Sequence, residues 1–537
     1  MAVYSKWMKT QAAALLLLAA LAALAQSPQP PRKRRVLALG DTSTRTYQHA
    51  SISHAMATIE RLGRESGLYE TVIRTDTQLL TKKRPAGTHT LDDFDAIFFY
   101  SIGEPAMTPD QKADLLSFIR EDGKGFVGTH TANNDFFDWP EYTDLIGGRF
   151  DDHPWELFDA PVIVEDPSFP AMQAFPPHFT INDEIYQMKD YSRNRVRVLA
   201  RLDANQLDLG NKRVHRTDRD FAVAWARSYG KGRVFYSTFG HRPEVWDRRD
   251  IQTMYLEALK WAMGITDADV TPRPLVEIGT TPRPVPLRPN EFSRPDTSTQ
   301  RLTGQPPKTI LALGDVSTAS YQHDSLSHAL STIEEMGLKA GLYDTLIRTD
   351  PQLVTKGEIA AATGTLTFYK NLRDFDAVVL LTAGDPKLMP RQKSDLLSFV
   401  RNGKGLVAIH SAIGSFREWP EFVGTIGGRN EEHPAATEDW DVTVLEPANP
   451  LMALLPKSFR IRDNFSPVVL QKDARVLAQS GDGTPIVWTR NYGKGRVFAS
   501  QIGHEDAVWD RRDVQHLYLE GIRWAIGHPA PLRFATK

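Results

Sequence analysis

Apolar positions along the chain follow two rhythms. Residues 35–39 are a short apolar run of strand length. From 49 to 67 the spacing becomes helical, with Ile52, Ala55, Met56, Ile59 and Leu62 on one face. Residues 70–74 and 95–100 read as strands. The second is a continuous apolar run, as a buried parallel strand requires. Pro109 opens a helix where proline is tolerated, and Ala113, Leu116, Phe118 and Ile119 fill its apolar side. Residues 125–129 form the next strand. Residues 221–227 and 233–238 read as an antiparallel pair around the turn at Tyr229-Gly230-Lys231-Gly232, and 249–263 as an amphipathic closing helix. This alternation predicts an α/β fold, a doubly wound, mostly parallel sheet with helices on both faces.

The pattern then repeats. Val36-Leu-Ala-Leu-Gly-Asp41 recurs as Ile310-Leu-Ala-Leu-Gly-Asp315, and the match runs ungapped for about 48 positions, roughly 30 of them identical. Asp114-Leu-Leu-Ser-Phe118 returns as Asp395-Leu-Leu-Ser-Phe399, Gly147-Gly-Arg149 as Gly427-Gly-Arg429, and Val245-Trp-Asp-Arg-Arg-Asp250 as Val508-Trp-Asp-Arg-Arg-Asp513. A repeat of this length is a duplicated domain, not a solenoid. We place the first copy at 33–265 and the second at 308–530. The stretch 266–307, rich in Pro, Thr and Arg, reads as a semi-extended linker.

Composition narrows the function classes. Of 537 residues, 41% are hydrophobic and 24% charged, which suffices for packed cores. The net charge of −2 gives no electrostatic case for nucleic acid or an anionic membrane. Cysteine is absent, which excludes disulfides, thiolate-held zinc, iron–sulfur clusters and a cysteine nucleophile. Lys6 and Lys9, a short apolar run from 12 to 25 and Ala23-Leu24-Ala25 read as a signal peptide over 1–25. The expectation is an exported protein, periplasmic or secreted, with no membrane span once the signal is cleaved. Arg32-Lys33-Arg34-Arg35 reads as a solvated approach to the first strand.

In a doubly wound sheet, ligands bind beyond the carboxyl ends of the strands. Those ends deliver histidines: His49 after the first strand, His130 after the fourth and His241 after the last, with His153 in a later loop. Ten of the 15 histidines form five pairs matched between copies: 49/323, 54/328, 130/410, 153/433 and 241/504. His54, on the first helix, reads as packed or capping. His49 is either a helix-terminal residue or part of a site. His130, His153 and His241 form a candidate set for a zinc-like divalent metal, with His410, His433 and His504 as counterparts. The same imidazoles could instead act as general acid or base. Asp135, Glu184 and Tyr186 supply further candidate catalytic groups beside His130. Arg149 could clamp a substrate oxygen or pair with Asp151. Trp139 could stack on a sugar or anchor a buried loop. The Tyr-Gly-Lys-Gly-Arg turns lack phosphate-loop spacing and read as hairpins.

Taken together, Tyr47-Gln48-His49, Gly125-Phe-Val-Gly-Thr-His130, Trp139-Pro140, Gly147-Gly-Arg149, His153-Pro154, Asp183-Glu-Ile-Tyr186 and Gly240-His241 resemble the trehalose-utilisation (ThuA-like) family, over nearly all of both copies. The resemblance implies a class I glutamine amidotransferase-like, flavodoxin-like fold in tandem. In true amidotransferases of that fold a cysteine occupies the elbow after a central strand. Here His130 and His410 stand there, so thiolate glutaminase chemistry is excluded. The resemblance further implies a small-molecule carbohydrate partner, among disaccharides and keto sugars, with some relatives looking metal-binding. His49 then joins Arg149 and Trp139 as a substrate-binding candidate.

The copies differ where the chemistry would lie. Copy two has Ile413-Gly414-Ser415 for Asn133-Asn134-Asp135, and Asp463-Asn464-Phe465-Ser466 for Asp183-Glu184-Ile185-Tyr186. Copy one is therefore expected to be the active domain. Two functional readings follow: an exported hydrolase or lyase acting on sugars or oxidised sugars, metal-assisted, or a non-catalytic sugar-binding or scaffold protein on a retired enzyme fold. Oligomeric state is not legible in the sequence.

Overall fold

The computed structural model describes residues 33–40, 48–84, 88–275, 307–315, 322–361, 364–366, 370–430 and 436–528. The signal stretch, most of the linker, Tyr47 and His433 lie outside the described residues.

In copy one the elements are β1 (Arg34–Leu39), α1 (Ser51–Ser66), β2 (Tyr69–Arg74), β3 (Ala96–Phe99), α2 (Pro109–Arg120), β4 (Gly125–Thr129), α3 (Pro140–Ile146), β5 (Arg149–Asp152), β6 (Leu157–Val164), β7 (His178–Glu184), β8 (Gln187–Lys189), β9 (Arg197–Leu202), β10 (Ala222–Tyr229), β11 (Gly232–Ser237), α4 (Pro243–Trp246) and α5 (Arg249–Ala262). Nine strands form one sheet in the order β2-β1-β3-β4-β11-β10-β9-β6-β7. β1, β3, β4 and β11 pair in parallel, and β11, β10, β9, β6 and β7 continue as an antiparallel wing. Alternate side chains of β1 enter different cores. Val36 and Ala38 join residues of α1 and α5, whereas Leu37 and Leu39 join residues of α2 and α3. The wing is longer than the sequence pattern predicts, because β6 interrupts its alternation with Pro161 and an exposed Leu157.

Copy two repeats the nine-stranded order strand for strand. No helix among the described residues is long and apolar enough to cross a membrane.

The described residues from Arg35 onward form one compact unit, and the two copies meet about a pseudo-twofold axis. The edge strands β2 and Tyr343–Arg348 and the helices α1 and Leu326–Ala340 make this interface. An edge strand leaves backbone N–H groups without a ladder partner. Here hydroxyls of the opposite copy take them reciprocally. Ile73 N–H donates to Ser327 Oγ and Ile347 N–H to Ser53 Oγ, each at 2.9 Å. Thr75 N–H donates to Thr349 Oγ1 and Thr349 N–H to Thr75 Oγ1, each at 2.8 Å. The Thr75 hydroxyl in turn donates to Asp350 and the Thr349 hydroxyl to Asp76. Equivalent positions also face each other on the axis: Ser331 Oγ donates to Ala57 O, and Arg61 lies 3.9 Å from Glu335. The apolar core under α1 and α5 runs on into the second copy as one cluster.

His54, expected to pack or cap, instead bridges the copies. Its Nδ1 lies 2.8 Å from Glu334 and its Nε2 3.1 Å from Asp247. Burial alone would lower its pKa, but the Glu334 and Asp247 carboxylates overcome that and raise it to about 10. A folded-state pKa above the unfolded value of about 6.5 stabilises the fold fully below that pH, and the contribution disappears as pH rises towards 10. The thermal midpoint of the full chain should therefore fall between pH 7 and 10. The fall should be shallower in His54→Ala. A scan with identical pH slopes for both proteins would contradict this reading.

Candidate metal centre

The parallel strands β4 and β11 end side by side at the middle of the sheet, and each carries a histidine just beyond its carboxyl end. His130 begins a short 3-10 turn with φ of 44°, and His410 repeats this with φ of 50°. Left-handed backbone costs a residue with a Cβ about 1–3 kcal/mol. It is held because His130 is locked at both ends. Tyr236 Oη donates to its carbonyl at 2.7 Å, and its Nδ1 donates to Thr238 O at 2.9 Å. The second bond puts the ring proton on Nδ1 and turns the bare Nε2 into the site.

Three more side chains converge there. His49 stands before α1, His241 follows β11 through Gly240, and Glu184 closes β7. Their ligand atoms and His130 Nε2 all lie within 4.8 Å of one another. The three imidazoles are nearly perpendicular, with centroids 4.9–5.1 Å apart and interplanar angles of 78–88°. His130 Nε2 and His241 Nδ1 are 3.1 Å apart. Imidazole nitrogens on a tetrahedral zinc, at about 2.0–2.1 Å each, stand about 3.3 Å apart. The donor set thus fits a small divalent transition ion in spacing, orientation and ligand type.

Electrostatics agree. Burial, reinforced by the neighbouring imidazoles, holds His49 and His130 well below the usual histidine pKa, so both are neutral lone-pair donors. Burial also lowers His241, but the Glu184 carboxylate, 3.4 Å away, outweighs it and raises that pKa. The backbone around His241 is held by Asp183, which accepts from Gly240 N–H at 2.7 Å and Arg242 N–H at 3.3 Å. Tyr186 stacks on His130 with centroids 4.4 Å apart, and its Oη lies 2.8 Å from Nε2. Burial, then Glu184, raises that phenol well above 10, so it remains a donor.

A family profile for ThuA, trehalose utilisation, matches residues 35–262 and 316–525. The chain belongs to the ThuA family. No curated protein is a significant match. Among solved structures, the chain is similar to a ThuA-like protein of Bacteroides uniformis at 22% identity, over 44% of this chain and 94% of that one, with a TM-score of 0.36. It is similar to a ThuA-like protein of Parabacteroides merdae at 20% identity, over 43% and 93%, with a TM-score of 0.34. A cytoplasmic protein of Salmonella typhimurium matches at 12% identity over 41% and 98%, with a TM-score of 0.30.

Within this ThuA fold the expected site residues separate into groups. His49, His130, His241 and Glu184 converge, with Tyr186 against them. His153 stands outside the imidazole trio, 3.6 Å from the other oxygen of Glu184 and 3.2 Å from Glu156. Glu156 was not read from sequence, although its position three residues after His153 was a usable signal. Arg149 pairs with Asp190 at 2.9 Å and donates to Phe137 O, while Asp151, its expected partner, pairs with His215. Trp139 is buried between Phe136 and Tyr142, with the Lys112 ammonium over its ring. It is a loop anchor and not a platform for a sugar. Asp135 is buried with its backbone bridged to Gly103 and is not one of the four converging groups.

Copy two's ThuA domain repeats the Asp183 brace, with Asp463 accepting from Gly503 and His504 N–H groups at 2.8 and 3.1 Å. Asp183→Ala leaves the buried Gly240 N–H and the part-buried Arg242 N–H without this carboxylate and should cost about 1–3 kcal/mol in urea unfolding of the full chain. Asp463→Ala should cost a similar amount. A loss below about 0.5 kcal/mol in both would remove Asp183 and Asp463 as braces.

Proposed function

We propose that copy one is the active domain of an exported, carbohydrate-active hydrolase or lyase, with His49, His130, His241 and Glu184 holding a divalent metal. The single observation carrying this is the set of three nearly perpendicular imidazoles with a carboxylate at the end of the parallel strands. The family's description, trehalose utilisation, supports a sugar as substrate. Export rests on the signal-like sequence of residues 1–25.

A bound ion would polarise a sugar oxygen and acidify a water at neutral pH. The protein's own groups would manage orientation and protons. His130 is turned inward by its bond to Thr238 O and presents Nε2 without reorganising. Tyr186 Oη can donate to a developing negative oxygen beside His130. Glu184 faces two ways, with Oε1 3.4 Å from His241 and Oε2 3.6 Å from His153. With Oε1 turned to the imidazoles, Oε2 is the oxygen left to take a proton from the reacting centre, beside the partly exposed His153.

The test is turnover of a panel of disaccharides and 3-keto sugars by the purified full chain. Chelation should abolish activity, and added zinc or cobalt should restore it. Glu184→Gln and Tyr186→Phe should each lower kcat by about 10²–10⁴-fold, the usual worth of an acid–base group. Turnover that survives both chelation and Glu184→Gln would overturn the reading.

A further inference from the structure

Copy two keeps the three imidazoles, His323, His410 and His504, with centroids 4.9–5.2 Å apart, although Leu381 stands there for Tyr100, Asn464 for Glu184 and Ser466 for Tyr186. A further difference is one of chain length. Residues 203–221 join β9 to β10, whereas in copy two residues 481–484 join the equivalent strands, Arg475–Ser480 and Pro485–Tyr492. Both sheets have the same strand order, so the hairpin closes without the extra fifteen residues.

The insertion folds back onto two segments beside Glu184. Gln187 is buried and next in sequence to Tyr186. Its Nε2 donates to Arg213 O at 2.7 Å, and its Oε1 accepts from His215 N–H at 3.0 Å. Arg216 donates to Met188 O at 2.9 Å. On the other segment, Trp155 Nε1 donates to Asp208 O at 3.2 Å, Asn211 donates to Pro154 O, and His215 Nδ1 lies 2.7 Å from Asp151. Arg213 stands at the centre of this contact. Its Nε and one terminal nitrogen donate to the two oxygens of Asp152, and the other terminal nitrogen donates to Glu156. His153 Nδ1 lies 3.4 Å from the same guanidinium and 3.6 Å from Glu184 Oε2. The guanidinium holds Asp152 and Glu156 below the usual carboxylate range, so both stay ionised at neutral pH. A bidentate fork fixes orientation as well as distance. In copy two the receiving side has changed as well. Ala435, Ala436 and Pro467 stand for Trp155, Glu156 and Gln187, so none of those three side-chain bonds can form there.

We propose that the β9–β10 insertion is a positioning element for the copy-one reaction: Arg213 and Gln187 hold His153 and Tyr186 in register with Glu184. The inference rests on the reading of Glu184 and Tyr186 as proton-handling groups. Misplacing such groups by about 1 Å costs about 10²-fold in rate. The imidazoles are held by other bonds, His130 by Thr238 O and the backbone of His241 by Asp183. Rate and metal binding should therefore respond separately.

Three variants of the full chain test this: Arg213→Ala, Gln187→Ala, and an exchange of residues 203–221 for the copy-two turn 481–484. Thermal midpoints confirm that each folds. On the sugars that the wild type turns over, Arg213→Ala should lower kcat about 10²-fold, with KM within about twofold. Gln187→Ala should lower kcat in the same way, and cobalt(II) stoichiometry should match the wild type in both. Methylguanidine added to Arg213→Ala should restore part of the rate, and Arg213→Lys, with the charge but no fork, should restore less. Amide exchange of residues 149–158 should quicken in Arg213→Ala while that of 125–129 stays slow. A kcat within about twofold of the wild type in all three variants, or unchanged exchange at 149–158, would overturn this inference and leave the copy-one active site standing. Loss of a cobalt ion in Arg213→Ala would also overturn it, by making the insertion a support of the ion site itself. A wild type that turns over none of the sugars would overturn both readings.

Discussion

The bond from His130 Nδ1 to the Thr238 carbonyl ties together the ends of two neighbouring parallel strands, and the site depends on it. It selects the tautomer, aims Nε2 inward and helps hold a left-handed backbone angle at the end of β4. The bond exists only because β4 and β11 are adjacent and parallel, so that both chains leave the sheet in the same direction. The rest of the fold serves that junction. The helix α1 begins beside it with His49, the antiparallel wing brings Glu184 back to it, and Asp183 clamps the backbone that carries His241.

Much of this was legible in the sequence where the signal was local. The strands at 35–39, 95–100 and 125–129 announced themselves as apolar runs, and α1 and α5 by helical spacing. The hairpin of β10 and β11 was readable from its turn. The wing of β6, β7 and β9 was not, because Pro161 and the exposed Leu157 break the alternation of β6, and β9 is buried on both faces. The histidines stood out because duplication printed each of them twice. What the sequence could not convey was contact at long range. His54 looked like a packing residue because its partner Glu334 lies 280 positions away. Tyr100 drew no notice at the end of an apolar strand, although its phenol fills the floor beneath two histidines.

The two copies show which features the architecture enforces and which it leaves open. The left-handed histidine, its tautomer bond and the aspartate brace recur with distances that agree within a few tenths of an ångström. These belong to the junction of strands and change only if the junction does. Glu184, Tyr186 and Tyr100 are side chains that point into the site without holding it together. Their replacement by Asn464, Ser466 and Leu381 leaves the imidazoles in place. Chemistry can thus be exchanged on this scaffold without disturbing the frame that presents it.

The opposed charges of Arg61 and Glu335 depend on the two copies differing in sequence. They occupy equivalent positions and face each other across the pseudo-twofold axis. Two identical chains meeting there would oppose arginine to arginine, or glutamate to glutamate, because every substitution would be made on both sides at once. Only two halves of different sequence can place a cation against an anion at that point. The reciprocal hydroxyl bonds are compatible with two identical halves, whereas this ion pair is not. The interface therefore combines contacts that identical sequences could make with one that requires the two halves to differ.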